Sequence, residues 1–244
     1  MPSRKIPPNH RSLTGLIASQ KSSSLSLVPS LPSSSVVSGV EPLQQPRAGM
    51  KGFESSLERD LFILLDFDLN VDYYEEQPLC IEYADREGRR HTYTPDVLIY
   101  YREDITPAKW MKPMLCEVKY RKDLFANWPE IKPKIRAGRK YARERGWKFQ
   151  IVTECEIRTT YLNNVKFLRQ YRQIKPNSAD KRLLLDTLHE LREADPETVL
   201  LAIYKDPLNR AQLLPTLWHL LATGVIDTDI TQPLTMHSRI WATI

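Results

Sequence analysis

TYTPDVLIYYREDITPAKWMKPMLCEVKYRKD, running from Thr92 to Asp123, holds two short apolar runs that read as β-strands. Each carries charge where a strand core does not favour it. Asp96 abuts Val97-Leu98-Ile99, and Glu117 and Lys119 flank Val118. Residues i and i+2 of a strand point to one face, so Glu117 and Lys119 share a face and Val118 takes the core side. Twenty residues separate Asp96 from Glu117. If the two runs pair, Asp96 meets Glu117 across the sheet. Two carboxylates so placed repel each other unless a cation joins them. A hard divalent ion with oxygen ligands does this, and Mg²⁺ is the usual one. The adjacent lysine can orient an attacking water, help deprotonate it, or stabilise charge building on phosphorus. The set suits phosphodiester hydrolysis. Plainer readings exist for the triplet alone: Pro95-Asp96 as a turn, and Glu117 with Lys119 as a surface ion pair of little worth.

Outward from this stretch, FESSLERDLFILLDFD repeats Phe53, Leu57, Leu61, Leu64 and Leu65 at helical spacing. Glu54 and Glu58 place acids early in that helix, where they are favoured. YYEEQPLCIEYADREGRRHTYTPDVLIYY reads as a strand, a turn at Asp85–Gly88 and another strand, and MLCEVKYR as a third. WPEIKPKIRAGRKYARERG is a basic amphipathic helix with Gly146 as its natural end. WKFQIVTECEI is a buried strand, and NNVKFLRQYRQI a helix closed by Pro176. A helix-flanked mixed α/β sheet follows. Three more helices come next. The first is capped by Ser178, and the second by Asp195 with Pro196 at its first position; the third ends at Gly224. A hairpin then closes the chain. Three helices and a β-wing form a winged-helix pattern. The expected domains are a Ser/Pro-rich arm over 1–49, an α/β domain over 50–176 and a winged-helix-like domain over 177–244. The arm holds too few apolar residues to offset its ordering entropy and reads as disordered.

The 244 residues carry 35 Lys/Arg and 30 Asp/Glu, and the distribution matters more than the sum. Lys119 to Lys148 holds eleven basic and three acidic residues, whereas 178–244 holds six basic against nine acidic. A basic middle suits a polyanion and an acidic tail suits a protein. Arg121, Lys122, Lys132, Lys134, Arg136, Arg139 and Lys140 are the candidate DNA contacts, as phosphate anchors that read no sequence. No apolar run reaches the roughly 18 residues of a membrane helix. The N-terminal segment has a transit-peptide composition, which nothing else in the sequence supports. Cys80, Cys116 and Cys155 read as buried reduced thiols of a cytosolic protein.

The Asp96…Glu117-Val118-Lys119 array resembles the PD-(D/E)xK restriction-endonuclease-like nucleases. The longer order is more specific: SSLERD, EEQP, YTPDVLIYY, CEVKYR, a basic helix, then GWKFQIVTE. From Gly52 to Ile244 this order is similar to the TnsA-type endonuclease subunit of heteromeric cut-and-paste transposases. The resemblance implies a restriction-endonuclease-like fold with a winged-helix-like C-terminal domain. It implies that Glu58, Asp96, Glu117 and the Val118 carbonyl hold one or two Mg²⁺, with Mn²⁺ able to substitute, and that Lys119 is the catalytic lysine. Glu54 and Glu58 can share a helix face, and only the resemblance selects Glu58. Some relatives carry glutamine where Glu117 stands. The implied activity is hydrolysis of the 5′ (non-transferred) strands at transposon ends in duplex DNA. The implied partners are a DDE-type transposase and an AAA+ ATPase regulator bound through the C-terminal domain, in the bacterial cytoplasm at the nucleoid. The rival expectations are a stand-alone restriction or repair endonuclease and a catalytically silent DNA-bound scaffold.

Overall fold

The computed structural model describes residues 56–85, 87–104 and 112–243. The arm over 1–49, Glu54 and Trp110 lie outside them. The chain divides into two compact units, one ending at Ile157 and the next beginning at Arg158.

The first unit opens with α1 (Ser56–Phe67), which buries Leu57, Leu61, Leu64 and Leu65 along one stripe and carries Glu58 in its first turn. Strands β1 (Val71–Glu76), β4 (Val97–Tyr101), β5 (Met114–Val118) and β6 (Lys148–Val152) form one sheet in the order β1-β4-β5-β6. β4 runs antiparallel to β1 and to β5, and β6 runs parallel to β5. A parallel neighbour needs a crossover. Here α2 (Arg121–Ala126) and α3 (Trp128–Glu144) supply it. The short α4 (Glu154–Ile157) closes the unit.

Between Val71 and Tyr101 there are four strands, not the two read from the sequence. β2 (Ile81–Ala84) and β3 (Arg90–Tyr93) form a separate antiparallel pair around the expected turn. Pro78 and Pro95 supply the breaks, because proline has no N–H for a ladder. Gln77, just before Pro78, adopts φ of 47°.

β5 is buried at every position. Leu98 and Leu115 lie on the sheet face that carries α3, in a cluster with Ile81, Tyr93 and Ala142. The stripe Ile131, Ile135, Gly138 and Ala142 is the inward side of α3. Glu117 alternates onto this same face and is 1% exposed. It is a buried carboxylate, and the surface ion-pair reading does not hold.

In the second unit, α5 (Thr160–Leu168) and a 3₁₀ turn (Arg169–Tyr171) precede α6 (Ser178–Leu191). The helix at Thr160 belongs with this unit, so the division falls earlier than the 176/177 boundary read from the sequence. Asn164 accounts for this: its Nδ2 donates to Ile230 O (2.8 Å) and Gln232 O (2.7 Å), and its Oδ1 accepts from Leu234 N (3.1 Å). Asn177, not Ser178, caps α6 by accepting from Ala179 N. Next come β7 (Glu193–Ala194), α7 (Pro196–Ile203) and α8 (Pro207–Ala222), the helices capped by Asp195 and Asp206. β8 (Ile226–Thr228) and β9 (Ile240–Ala242) complete a three-stranded sheet, order β7-β9-β8. The expected closing hairpin therefore gains a third strand from between the helices. Trp218 is a core residue, packed edge-on against Phe167.

Asn164→Ala removes three hydrogen bonds and strands two carbonyls. It is expected to cost about 2–4 kcal/mol, read as a lower urea midpoint for the second unit.

Cys116 is buried, but Cys80 and Cys155 are exposed, and all three are free. No helix among the described residues is long and apolar enough to cross a membrane.

Candidate active site

The site forms where β4 begins and β5 ends. Val97 pairs with Cys116 in the antiparallel register, which brings Asp96 opposite Glu117. The backbone fixes Asp96 on both sides. Its N–H donates to Cys116 O (3.1 Å), and its carbonyl accepts from Gln77 N (2.9 Å). Gln77 thus serves the site through its main chain. The Asp96 carboxylate takes the Val118 N–H at 2.6 Å, a short charge-assisted bond.

Glu117 is held on both oxygens. Lys134 Nζ lies 2.8 Å and Lys119 Nζ 3.5 Å from Oε1. The Tyr93 hydroxyl donates to Oε2 at 2.8 Å. Burial first, and then the Glu117 charge, hold the Tyr93 hydroxyl far above its ordinary range, so it remains a donor.

Asp96 is less well balanced. Burial, followed by the charge of Glu117, pushes its pKa up to about 7 against the pull of Lys119 and the Val118 N–H. Glu58, half-buried on α1, adds a smaller push. For Lys119, burial works to lower the pKa, but Glu117 and Asp96 outweigh it and the ammonium is held above its usual range. The lysine stays charged beside a carboxylate whose ionised form its surroundings disfavour.

This donor chemistry is that of a hard-cation site: two adjacent carboxylates, one carrying more negative charge than its surroundings balance. Among the described residues, however, no three His, Cys, Asp or Glu side chains are grouped so as to hold a metal ion. Asp96 and Glu117 are brought together, whereas Glu58 reaches them through its electrostatic field.

The basic residues divide. Arg121 and Lys122 are exposed at the start of α2, just past Lys119. The Arg121 guanidinium lies 3.5 Å from Cys155 Sγ and 5.7 Å from the Phe125 ring centroid. Lys132, Arg136, Arg139 and Lys140 lie on one flank and the back of α3, away from its apolar stripe. Lys140 also stands 3.9 Å from Glu144. Lys134, also expected as a phosphate anchor, is on the other flank and points inward to Glu117. That flank was legible from helical spacing. Tyr93 was not: its partner lies 24 residues away, and no local pattern marks it. His91 is engaged by Asp85 at 2.8 Å, away from the acids.

Gly138 sets how closely α3 approaches. A Cβ there would stand 2.6 Å from Phe149 Cε2 and 2.9 Å from Tyr93 Cε1. Gly138→Val is expected to cost about 1–3 kcal/mol through overpacking and to shift the Tyr93 ring that serves Glu117. Denaturation curves and near-UV circular dichroism check both effects.

With this geometry in place, comparison with known families gives two matches. A model described as TnsA-like endonuclease N terminal matches residues 68–154, and one described as TnsA endonuclease C terminal matches 156–230. The first spans Asp96, Glu117 and Lys119 and begins after Glu58. No match was found among curated proteins. Matches to the N-terminal and C-terminal domains of one endonuclease family make the protein a nuclease. The chain belongs to the TnsA family and is a TnsA-type endonuclease subunit.

Proposed function

We propose that this subunit hydrolyses the 5′ (non-transferred) strands of duplex DNA at transposon ends, while a DDE-type transposase partner cuts the 3′ ends. The observation that carries the reading is the pairing of Asp96 with Glu117, with Lys119 beside them, inside the matched endonuclease domain. Asp96 and Glu117 would hold a divalent cation, with Glu58 and the Val118 carbonyl as further ligands. Such a cation, Mg²⁺ or Mn²⁺ in its place, supplies Lewis-acid polarisation of the phosphate and a more acidic water. Lys119 stabilises the charge that builds on the phosphate oxygens and orients the water. The water oxygen bonds to phosphorus, the P–O bond to the departing strand breaks, and the water's protons end on the leaving group and solvent. No protein nucleophile is needed.

Exposed Arg121, Lys122, Arg136 and Arg139, with Lys132 and Lys140, suit phosphate anchoring near this chemistry. For the second domain, the order α6-β7-α7-α8-β8-β9 supports a winged-helix reading. The acidic balance of 178–244 favours a protein partner there, an AAA+ regulator, over a phosphate backbone.

The test is strand-resolved cleavage of labelled transposon-end DNA in Mg²⁺, with and without the matching transposase. New 5′-strand cuts that depend on the partner support the reading. Cutting of unrelated sequences without the partner would make this a stand-alone nuclease.

A further inference from the structure

Both oxygens of Glu117 are already occupied by side chains of this chain. The ammonium of Lys134 is the tighter of the two on Oε1, at 2.8 Å against 3.5 Å for Lys119. It comes from a different element, α3, and stands 5.4 Å from the Tyr93 ring centroid, so the phenol that serves Oε2 also supports the lysine that serves Oε1. Its approach is built in: the buried Ile131 and Ile135 turn this part of α3 to the sheet, and Gly138 lets the helix close on Tyr93. The result is a carboxylate that is 1% exposed yet balanced without any metal. An ammonium within hydrogen-bond distance of a carboxylate oxygen repels an incoming divalent ion and uses the lone pairs that ion needs.

We infer that Lys134 is the resident counterion of this metal site: it holds Glu117 in the metal-free protein, and a cation enters only by displacing it from Oε1. The inference rests on the nuclease reading of Asp96 and Glu117. Lys134 is a positioning residue. It keeps the buried acid ordered and charge-balanced before loading, and it weakens cation binding by the strength of its own ion pair. Lys119 is further from the oxygen and remains beside both acids.

The experiment is calorimetric titration of the full chain with Mn²⁺ alone, without DNA, for wild type, Lys134→Gln, Lys134→Met, Lys134→Arg and Asp96→Asn. Thermal melts in chelator establish that each variant is folded. Lys134→Gln retains a neutral donor for Glu117 and decides the matter if Lys134→Met does not fold. Lys134→Gln and Lys134→Met are expected to bind Mn²⁺ at least about fivefold more tightly than wild type, the lower end of typical coupling between sites. Lys134→Arg keeps the charge and should bind as wild type does. A merely structural lysine would give the opposite sign, since a loosened site binds more weakly. Unchanged or weaker binding in the folded neutral variants overturns the inference. If at the same time Asp96→Asn abolishes the binding heat, the nuclease reading stands and only the role of Lys134 falls. If Asp96→Asn binds Mn²⁺ as wild type does, the ion is elsewhere and both readings fall.

Discussion

Asp96→Ala is expected to lower 5′-strand cleavage at transposon ends by at least about 10³-fold, roughly 4 kcal/mol of transition-state stabilisation, while the transposase's 3′ cuts persist. The reason lies in how the two acids differ. Glu117 is matched by two ammonium groups and a phenol. The Asp96 carboxylate accepts one hydrogen bond, from Val118 N, and has a pKa raised by burial and by Glu117. It is the carboxylate whose charge is least compensated, and so the one with most to gain from a cation. Alanine also leaves the Val118 N–H without its acceptor. Asp96→Asn is therefore the companion variant: it keeps an acceptor oxygen and removes the charge. A loss common to both variants assigns the effect to charge. Cleavage within tenfold of wild type by folded Asp96→Asn would sink the assignment of this acid to the chemistry.

The same residue also has a large expected effect on stability, with the opposite sign. In metal-free buffer at pH 8, Asp96→Asn is expected to be more stable than wild type. Burial and the Glu117 charge push the folded pKa of Asp96 up to about 7, while an unfolded aspartate titrates at about 3.9. Between these values the folded chain keeps a proton that the unfolded chain has lost. Stability from this group therefore falls as pH rises through the window from about 4 to about 7, and is fully lost above it. Three pH units correspond to about 4 kcal/mol at most, and partial exposure reduces this to about 2 kcal/mol. Asparagine does not titrate and escapes the loss. Urea midpoints in chelator should show the variant ahead at pH 8 and level with wild type near pH 4.5. A gap that stays constant or widens on acidification would show that Asp96 is not held protonated by its site. Saturating Mg²⁺ at pH 8 should reverse the order, because ligand binding stabilises only the protein that keeps the site.

These effects also show why the site could be read in part from the chain. Strand periodicity and an antiparallel return bring Asp96 opposite Glu117, and the structure has that register. Helix ends were similarly open to reading where the cap is chemically distinct, as at Asp195 with Pro196. Asn177 took the role given to its neighbour Ser178 because both are good caps and the local pattern does not rank them. The small β2–β3 sheet was missed because its strands are four residues each, too short for alternation to stand out from the turn they flank.

By itself, the sequence determined that Glu117 and Lys119 share one strand face and that Asp96 meets them if the two strands pair, because side chains alternate with period two. It also determined that a basic helix follows them. Only the tertiary structure decided that Glu117 is buried and that Tyr93 and Lys134 hold it. Those contacts span 24 and 17 positions and join three different elements. They depend on how closely α3 settles onto the sheet over Gly138, a packing distance that no local periodicity encodes.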